Sequence, residues 1–217
     1  MTRPERIAAQ AALAEARGFS AVAARLDPAL PETVRSLILA GLASFAESGY
    51  NATTTRDVAT RAGLSPAGMY VHFPSKAELL ARVVGVTLEQ TIGALHDSLA
   101  SATTSPARLR AVVGTLASVL AENDAAGRVA NYEYRHLPDD LRAPIDALRV
   151  QIRMLVRDVI QGGIDDGSFD VPDANVAARA LISLCVDISR WYSEEERGDP
   201  QQLGETYADL ALRLVSR

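Results

Sequence analysis

The chain has 217 residues, of which 48% are hydrophobic, 23% charged and only 5% aromatic, with a formal net charge of −5. This suits a soluble, mostly helical protein of one ordinary domain or two small ones. A single cysteine, Cys185, excludes an internal disulfide framework and a cysteine-based zinc site; no 18-residue apolar run or N-terminal apolar leader appears, so a cytosolic protein without a membrane span is expected.

The charge is uneven. Residues 1–85 carry nine Lys/Arg against seven Asp/Glu, and residues 86–217 carry thirteen against twenty. A mildly basic front is therefore joined to an acidic body, and the front is the half that would face a polyanion.

An Ala-rich leader over residues 1–30 carries Ile7, Leu13, Phe19, Val22 and Leu26 as its apolar positions and ends at DPALP. Next, the spacing of Val34, Ile38, Leu42 and Phe45 predicts a helix from Pro31 to Ser48, with Gly49 just past its end. Thr54-Thr55-Arg56-Asp57 forms a capping box that opens a second helix, which carries Val58, Ala59 and Ala62 and stops at Gly63. Ser65 as N-cap and Pro66 at the first helical position open a third helix, which must end before Pro74. Ser75-Lys76-Ala77-Glu78 opens a fourth. The second and third are separated only by Gly63 and Leu64, which is the grammar of a helix-turn-helix; there the start of the second helix enters the major groove.

Within SPAGMYVHFPSK, Met69 and Phe73 are spaced to pack inward. Ser65, Pro66, Ala67 and Gly68 present little bulk to base edges, while Tyr70, His72 and Lys76, the only lysine in the chain, offer polar groups to flanking phosphates. GYNATTTRDVATRAGLSPAGMYVHFPSKAELL as a whole resembles the DNA-binding region of the TetR (tetracycline-repressor) family of bacterial regulators, over about residues 33–82. The shared pattern is a Gly-aromatic turn, a Thr-Thr pair, an acidic-aliphatic-Ala triplet, Ala-Gly-aliphatic-Ser, and a Tyr two before His-Phe followed by Ser-Lys. The resemblance implies that Thr54 and Thr55 contact phosphates, that Arg56 reads a base, and that Ser65 to Gly68 with Tyr70, His72 and Lys76 form the recognition face. Specificity then leans on Arg56, van der Waals contact and DNA shape.

SATTSP breaks the chain at 101–106. Further helices are predicted over 107–122, 128–136, 139–165, 173–195 and 200–215, separated by ENDAAG, LPDD, GIDDGSFDVP and RGDP. The helix over 173–195 is apolar on more than one side and needs cover on two sides, for which a neighbouring subunit is the simple candidate. The stretches NYEYRHLPDDLRAPIDALR, GGIDDGSFDVPD and SRWYSEEERGDPQQLGETYADLALRLV resemble the C-terminal domain of a TetR-family subgroup that answers to acyl-CoA thioesters and regulates lipid, fatty-acid or steroid catabolism. An acyl-CoA needs an apolar tunnel and phosphate-binding arginines. Leu116, Leu120, Leu184 and Ile188 are the expected walls, and Arg128, Arg135, Arg149 and Arg153, with Tyr132, the expected polar contacts. Leu181, Cys185, Trp191, Leu210 and Leu214 are expected at the subunit interface.

The sequence therefore predicts an all-α chain: an N-terminal extension over 1–30, a helix-turn-helix domain over 31–82, and a ligand-binding and dimerisation domain over 83–217. By resemblance, its last two helices pair across the dimer as a four-helix bundle. The reading is a homodimeric repressor released from a palindromic operator by a small hydrophobic effector, with no cofactor and no catalysis. Two alternatives stay open: a helical small-molecule binder or activator, and an enzyme using Glu133 and His136, three residues apart, as an acid–base pair.

Overall fold

The computed structural model describes residues 20–192 and 198–216, and every regular element among them is helical. Ile7, Leu13 and Phe19 lie outside the described residues, as do residues 193–195 of the helix expected over 173–195, which ends at Trp191 with Tyr192 extended. The elements are α1 (Ser20–Arg25), α2 (Glu32–Ala52), α3 (Thr55–Arg61), α4 (Pro66–Tyr70), α5 (Lys76–Leu99), α6 (Ser105–Glu122), α7 (Asp124–Arg128), α8 (Asp139–Asp165), α9 (Ala174–Trp191) and α10 (Pro200–Val215). Between α7 and α8 the chain winds as a π turn over Val129–Glu133 and then a 3-10 turn over Tyr134–His136.

The helical residues form two compact units. One holds the described residues up to Leu88 together with Ala125–Asp146; the other holds Glu89–Asp124 and the described residues from Ala147 onward. The first unit is built around α2. Its residues from Ser36 to Phe45 are buried without interruption, so α2 is covered on every side and is wider in its packing than the Val34–Ile38–Leu42–Phe45 stripe suggests. Val22 and Leu26, from the end of the Ala-rich leader, are buried as well. Gly41 makes a close approach possible: a Cβ there would lie 2.9 Å from the Leu79 side chain of α5. Gly49 takes a positive φ of 73°, which breaks α2 and lets the chain turn toward α3.

In the second unit α6 packs most extensively on α10 and next on α9. The α6–α10 contact is nearly backbone to backbone. A Cβ at Gly204 would lie 2.1 Å from Ser118 Oγ and 2.6 Å from the Gly114 carbonyl oxygen. Thr104 caps α6 by accepting the Ala107 N–H at 3.3 Å, so the SATTSP break ends in a helix start slightly earlier than expected. After α8, Ser105 Oγ donates to Asp166 at 2.6 Å, and the Phe169 ring fills the space above Gly163. Asp166 is held below the ordinary carboxylate range first by the Ser105 hydroxyl and then by the Ser168 hydroxyl and N–H.

Two expected elements differ. ENDAAG breaks the chain for one residue only: α6 ends at Glu122 with Asn123 as its non-helical cap, and α7 resumes at once over Asp124–Arg128, where Asp124, Ala125 and Ala126 are buried and burial outweighs the poor helix propensity of the stretch. Residues 128–136, expected as one α-helix, are the last residue of α7 followed by the irregular winding over 129–136. Both runs, 139–165 and 200–215, match α8 and α10. No helix among the described residues is long and apolar enough to cross a membrane.

Candidate nucleic-acid interface

The start of α3 is set by a reciprocal cap. Thr54 Oγ1 accepts the Asp57 N–H at 3.2 Å, and Asp57 Oδ2 accepts the Thr54 N–H at 2.9 Å and its hydroxyl at 2.6 Å. These bonds from Thr54, the hydroxyl first, hold the Asp57 carboxyl below its usual value. Val58 and Ala59 are the buried side of α3, which leaves Thr54 and Arg56 exposed and Thr55 half-buried. The turn follows from Gly63, whose φ is +72°, and from the Leu64 N–H, which donates to the Ala59 carbonyl at 2.8 Å.

Ser65 opens α4 by accepting the Gly68 N–H at 3.2 Å, with Pro66 at the first helical position. Met69 and Phe73 are buried, as their spacing predicts. That orientation leaves Ser65, Pro66, Ala67, Tyr70, Val71 and His72 exposed and Gly68 half-buried. Gly68 is helical, and a Cβ there would meet nothing nearer than Ser65 Oγ at 3.5 Å. The fold tolerates a side chain at this position, so packing does not explain the glycine. Tyr70 Oη lies 3.2 Å from Thr55 Oγ1, which joins the outer edges of α3 and α4. Val71, 78% exposed, was missed by sequence reasoning. Its signal was present: with 69 and 73 inward, 71 must point out between Tyr70 and His72.

Lys76 is differently placed from the other expected contacts. Its Nζ donates to the Tyr50 carbonyl at 2.6 Å and the Thr53 carbonyl at 2.8 Å, and it lies 4.2 Å from the centre of the Tyr50 ring. Burial pushes its ammonium below the ordinary lysine value. Two of its three protons are thus used inside the protein, binding the start of α5 to the carbonyls between α2 and α3. Thr53 Oγ1 tightens the same corner by donating to the Ser44 and Gly49 carbonyls, at 3.0 and 2.8 Å.

The residues expected to meet an effector fall in both units. Leu116, Leu120 and Ile188 are buried in the second unit, where Arg149 and Arg153 are half-buried. Arg128 and Tyr132 are half-buried and Arg135 exposed in the first unit. Leu184 is 47% exposed and lines an outer stripe of α9 with Val176 and Trp191, so it is corrected from pocket wall to surface. Leu181 and Cys185 are corrected in the other direction. Both are buried by their own chain, on the α9 stripe Ala178–Leu181–Cys185–Ile188, and offer no area to a partner. Burial pushes the Cys185 thiol up to about 12. Leu210 and Leu214 are exposed on α10. Glu133 and His136, the imagined acid–base pair, instead engage Tyr50: Glu133 Oε2 accepts its N–H at 2.9 Å, and the His136 ring stacks on it at 5.3 Å. Among the described residues no group of three or more His, Cys, Asp or Glu is placed to hold a metal ion.

Comparison with known proteins addresses the two halves separately. The family model of bacterial regulatory proteins of the tetR family matches residues 37–83, and that of tetracyclin repressor-like C-terminal domains matches residues 102–215. The HTH-type transcriptional repressor KstR2 of Rhodococcus jostii is 32% identical over 171 residues, covering 77% of this chain and 83% of its own. A crystal structure of a bacterial regulatory protein in the tetR family from Rhodococcus RHA1 superposes with a TM-score of 0.82 at 30% identity, over 86% of this chain and 98% of that one. The FadR regulator of Bacillus subtilis, solved with stearoyl-CoA, shares the fold with a TM-score of 0.70 at 20% identity, over 82% of this chain and 96% of its own.

Proposed function

The chain belongs to the TetR family of bacterial regulatory proteins and is a DNA-binding transcriptional regulator; from that premise we propose that it is a homodimeric repressor that grips a palindromic operator and is released by a small hydrophobic effector. The observation that carries the DNA reading is the outer edge of α3 and α4. Small residues, Ser65 to Gly68, lead it, and Thr54, Thr55, Arg56, Tyr70 and His72 flank it on the exposed side. A thin leading edge lets the α4 backbone come close to base edges, and the flanking hydroxyls and imidazole suit phosphate oxygens. Val71 adds an apolar contact for a thymine methyl or a sugar. The glycine at 68, which packing does not require, fits this use. Two copies of α4 would enter successive major grooves about 34–36 Å apart.

The dimer is assigned to the outer stripe of α9 and α10, through Val176, Leu184, Trp191, Leu210 and Leu214, whose exposure on a single chain is unusual for large apolar side chains. The effector is assigned to the second unit, among Leu116, Leu120 and Ile188 with Arg149 and Arg153, and an acyl-CoA thioester is the class whose apolar chain and phosphates those residues match. Differential affinity for one body conformation would then lower DNA affinity by population shift, with no chemistry performed.

The test is selection from a random pool of duplexes followed by gel shift with the full chain and with Tyr70→Ala. Enrichment of a palindrome whose binding is weakened by Tyr70→Ala supports the reading, and no enrichment over an unselected duplex overturns it. A thermal-shift panel of acyl-CoAs, free fatty acids and steroids tests the effector, and no shift with any thioester overturns that assignment.

A further inference from the structure

We propose that Glu133 and His136 are positioning residues for DNA binding: they fix Tyr50, and through it Lys76 and the α2–α3 corner, from a segment that follows the α6 end of the other unit along the chain. This rests on the DNA-binding reading of α3 and α4. The contacts all lie within the first compact unit, to which residues 125–146 belong.

Tyr50 is where the segment takes hold. Gly49 breaks α2 at positive φ, and the N–H of Tyr50 donates to Glu133 Oε2 at 2.9 Å. A Cβ at Gly49 would come within 3.7 Å of the same carboxylate. The His136 ring lies nearly parallel to the Tyr50 ring, 13° apart, and its Nε2 is 3.6 Å from Glu133 Oε2. The Tyr50 carbonyl and ring in turn hold Lys76, whose other bond is to the Thr53 carbonyl. The next residue is Thr54, the cap of α3. Four side chains, Glu133, His136, Tyr50 and Lys76, therefore connect the 133–136 segment to the cap of α3.

The backbone of that segment is suited to having two arrangements. A π turn is followed at once by a 3-10 turn, the widest and the tightest of the helical windings. A π turn encloses one more residue per ring than an α turn, and such turns gather at functional sites. Relaxing it rotates every later residue, so Glu133 and His136 would leave Tyr50 together. The segment is continuous in sequence with α6 through α7 and with α8. A shift in either helix thus has a direct covalent path to it. A structural cluster with no other role would hold Tyr50 equally well, and the experiment separates the two.

The full chain is measured with a duplex enriched from a random pool, by fluorescence anisotropy and by amide hydrogen exchange. Coupling is reciprocal, so DNA binding must be felt at 129–137 if that segment positions the reader. Slower exchange there on binding the duplex is expected. His136→Ala is expected to bind at least about fivefold more weakly, with unchanged salt dependence because no phosphate contact is lost. His136→Phe, which keeps a ring to stack, restores affinity. If His136→Ala fails to fold by circular dichroism, Glu133→Gln carries the same comparison. Unchanged exchange at 129–137 with DNA bound, or variants that bind like the parent, overturns the proposal and leaves the DNA reading standing. A pool that yields no bound duplex overturns both.

Discussion

Lys76→Met separates a lysine that braces the protein from one that touches DNA. Methionine keeps most of the apolar stem and removes the ammonium, along with its bonds of 2.6 and 2.8 Å to the Tyr50 and Thr53 carbonyls and its place 4.2 Å from the Tyr50 ring. A hydrogen bond involving a charged group contributes roughly 1.5–3 kcal/mol, and an exposed cation–π contact about 0.5–1 kcal/mol. Lys76 is only half-buried, so water replaces part of what is lost. The low end of each range applies, and the three contacts together come to about 2–3 kcal/mol once solvent screening is discounted. With a urea slope of roughly 2–3 kcal/mol per molar for the unit that holds it, the unfolding midpoint should fall by about 1 M. The discriminating assay is duplex affinity across about 50–200 mM salt, because each phosphate-contacting cation adds close to one unit to the log–log slope. Weaker binding with an unchanged slope is expected. A slope reduced by one unit, with the urea midpoint unmoved, would refute the brace and make Lys76 a phosphate contact.

Gly204→Ala should destabilise the second unit by about 1–3 kcal/mol through overpacking against Ser118 and Gly114, read as a lower Tm, whereas Gly198→Ala, with nothing within 4 Å, should be neutral; equal Tm values would contradict the close crossing. Asp57 has its folded pKa depressed by Thr54, so its contribution is present above its ordinary value and is lost as pH falls through the folded one. Asp57→Asn should therefore flatten the loss of thermal stability below about pH 4, and a curve parallel to the parent's would sink the argument. Leu184→Glu combined with Leu214→Glu should yield a folded monomer by light scattering; a persistent dimer would move the interface elsewhere. Cys185, buried and with its thiol pushed up to about 12, should resist thiol reagents at pH 8 until the protein is unfolded.

The helix starts were legible because their chemistry is local. Thr54 with Asp57, and Ser65 with Pro66, satisfy free N–H groups with residues three positions away, and the structure has both caps where the sequence put them. Gly49 and Gly63 were legible for the same reason, since each ends a helix at positive φ. The inward assignment of Met69 and Phe73 followed from spacing alone. What escaped was set by contacts distant in sequence. Lys76 reads as a surface charge until the Tyr50 and Thr53 carbonyls, 26 and 23 residues away, are placed beside it. The winding of 129–136 brings Glu133 to the Tyr50 N–H, 83 residues away, and helical periodicity carries no trace of such a contact. On α9 the pattern revealed apolar residues on two sides. It does not say which side its own chain covers: the pattern suits Leu184 inward and Leu181 and Cys185 outward, and burial reverses both.

The glycine contact between α6 and α10 also limits how the second unit can move. Packed helices usually slide on a layer of side chains that switch rotamers as they pass. At Gly114 and Gly204 that layer is missing, and Ser118 Oγ is tied across the gap to the Pro200 carbonyl at 3.0 Å. The close crossing and the bond couple α6 to α10, so a rearrangement felt by α6 is expected to reach α10 and the exposed stripe of Leu210 and Leu214 as well.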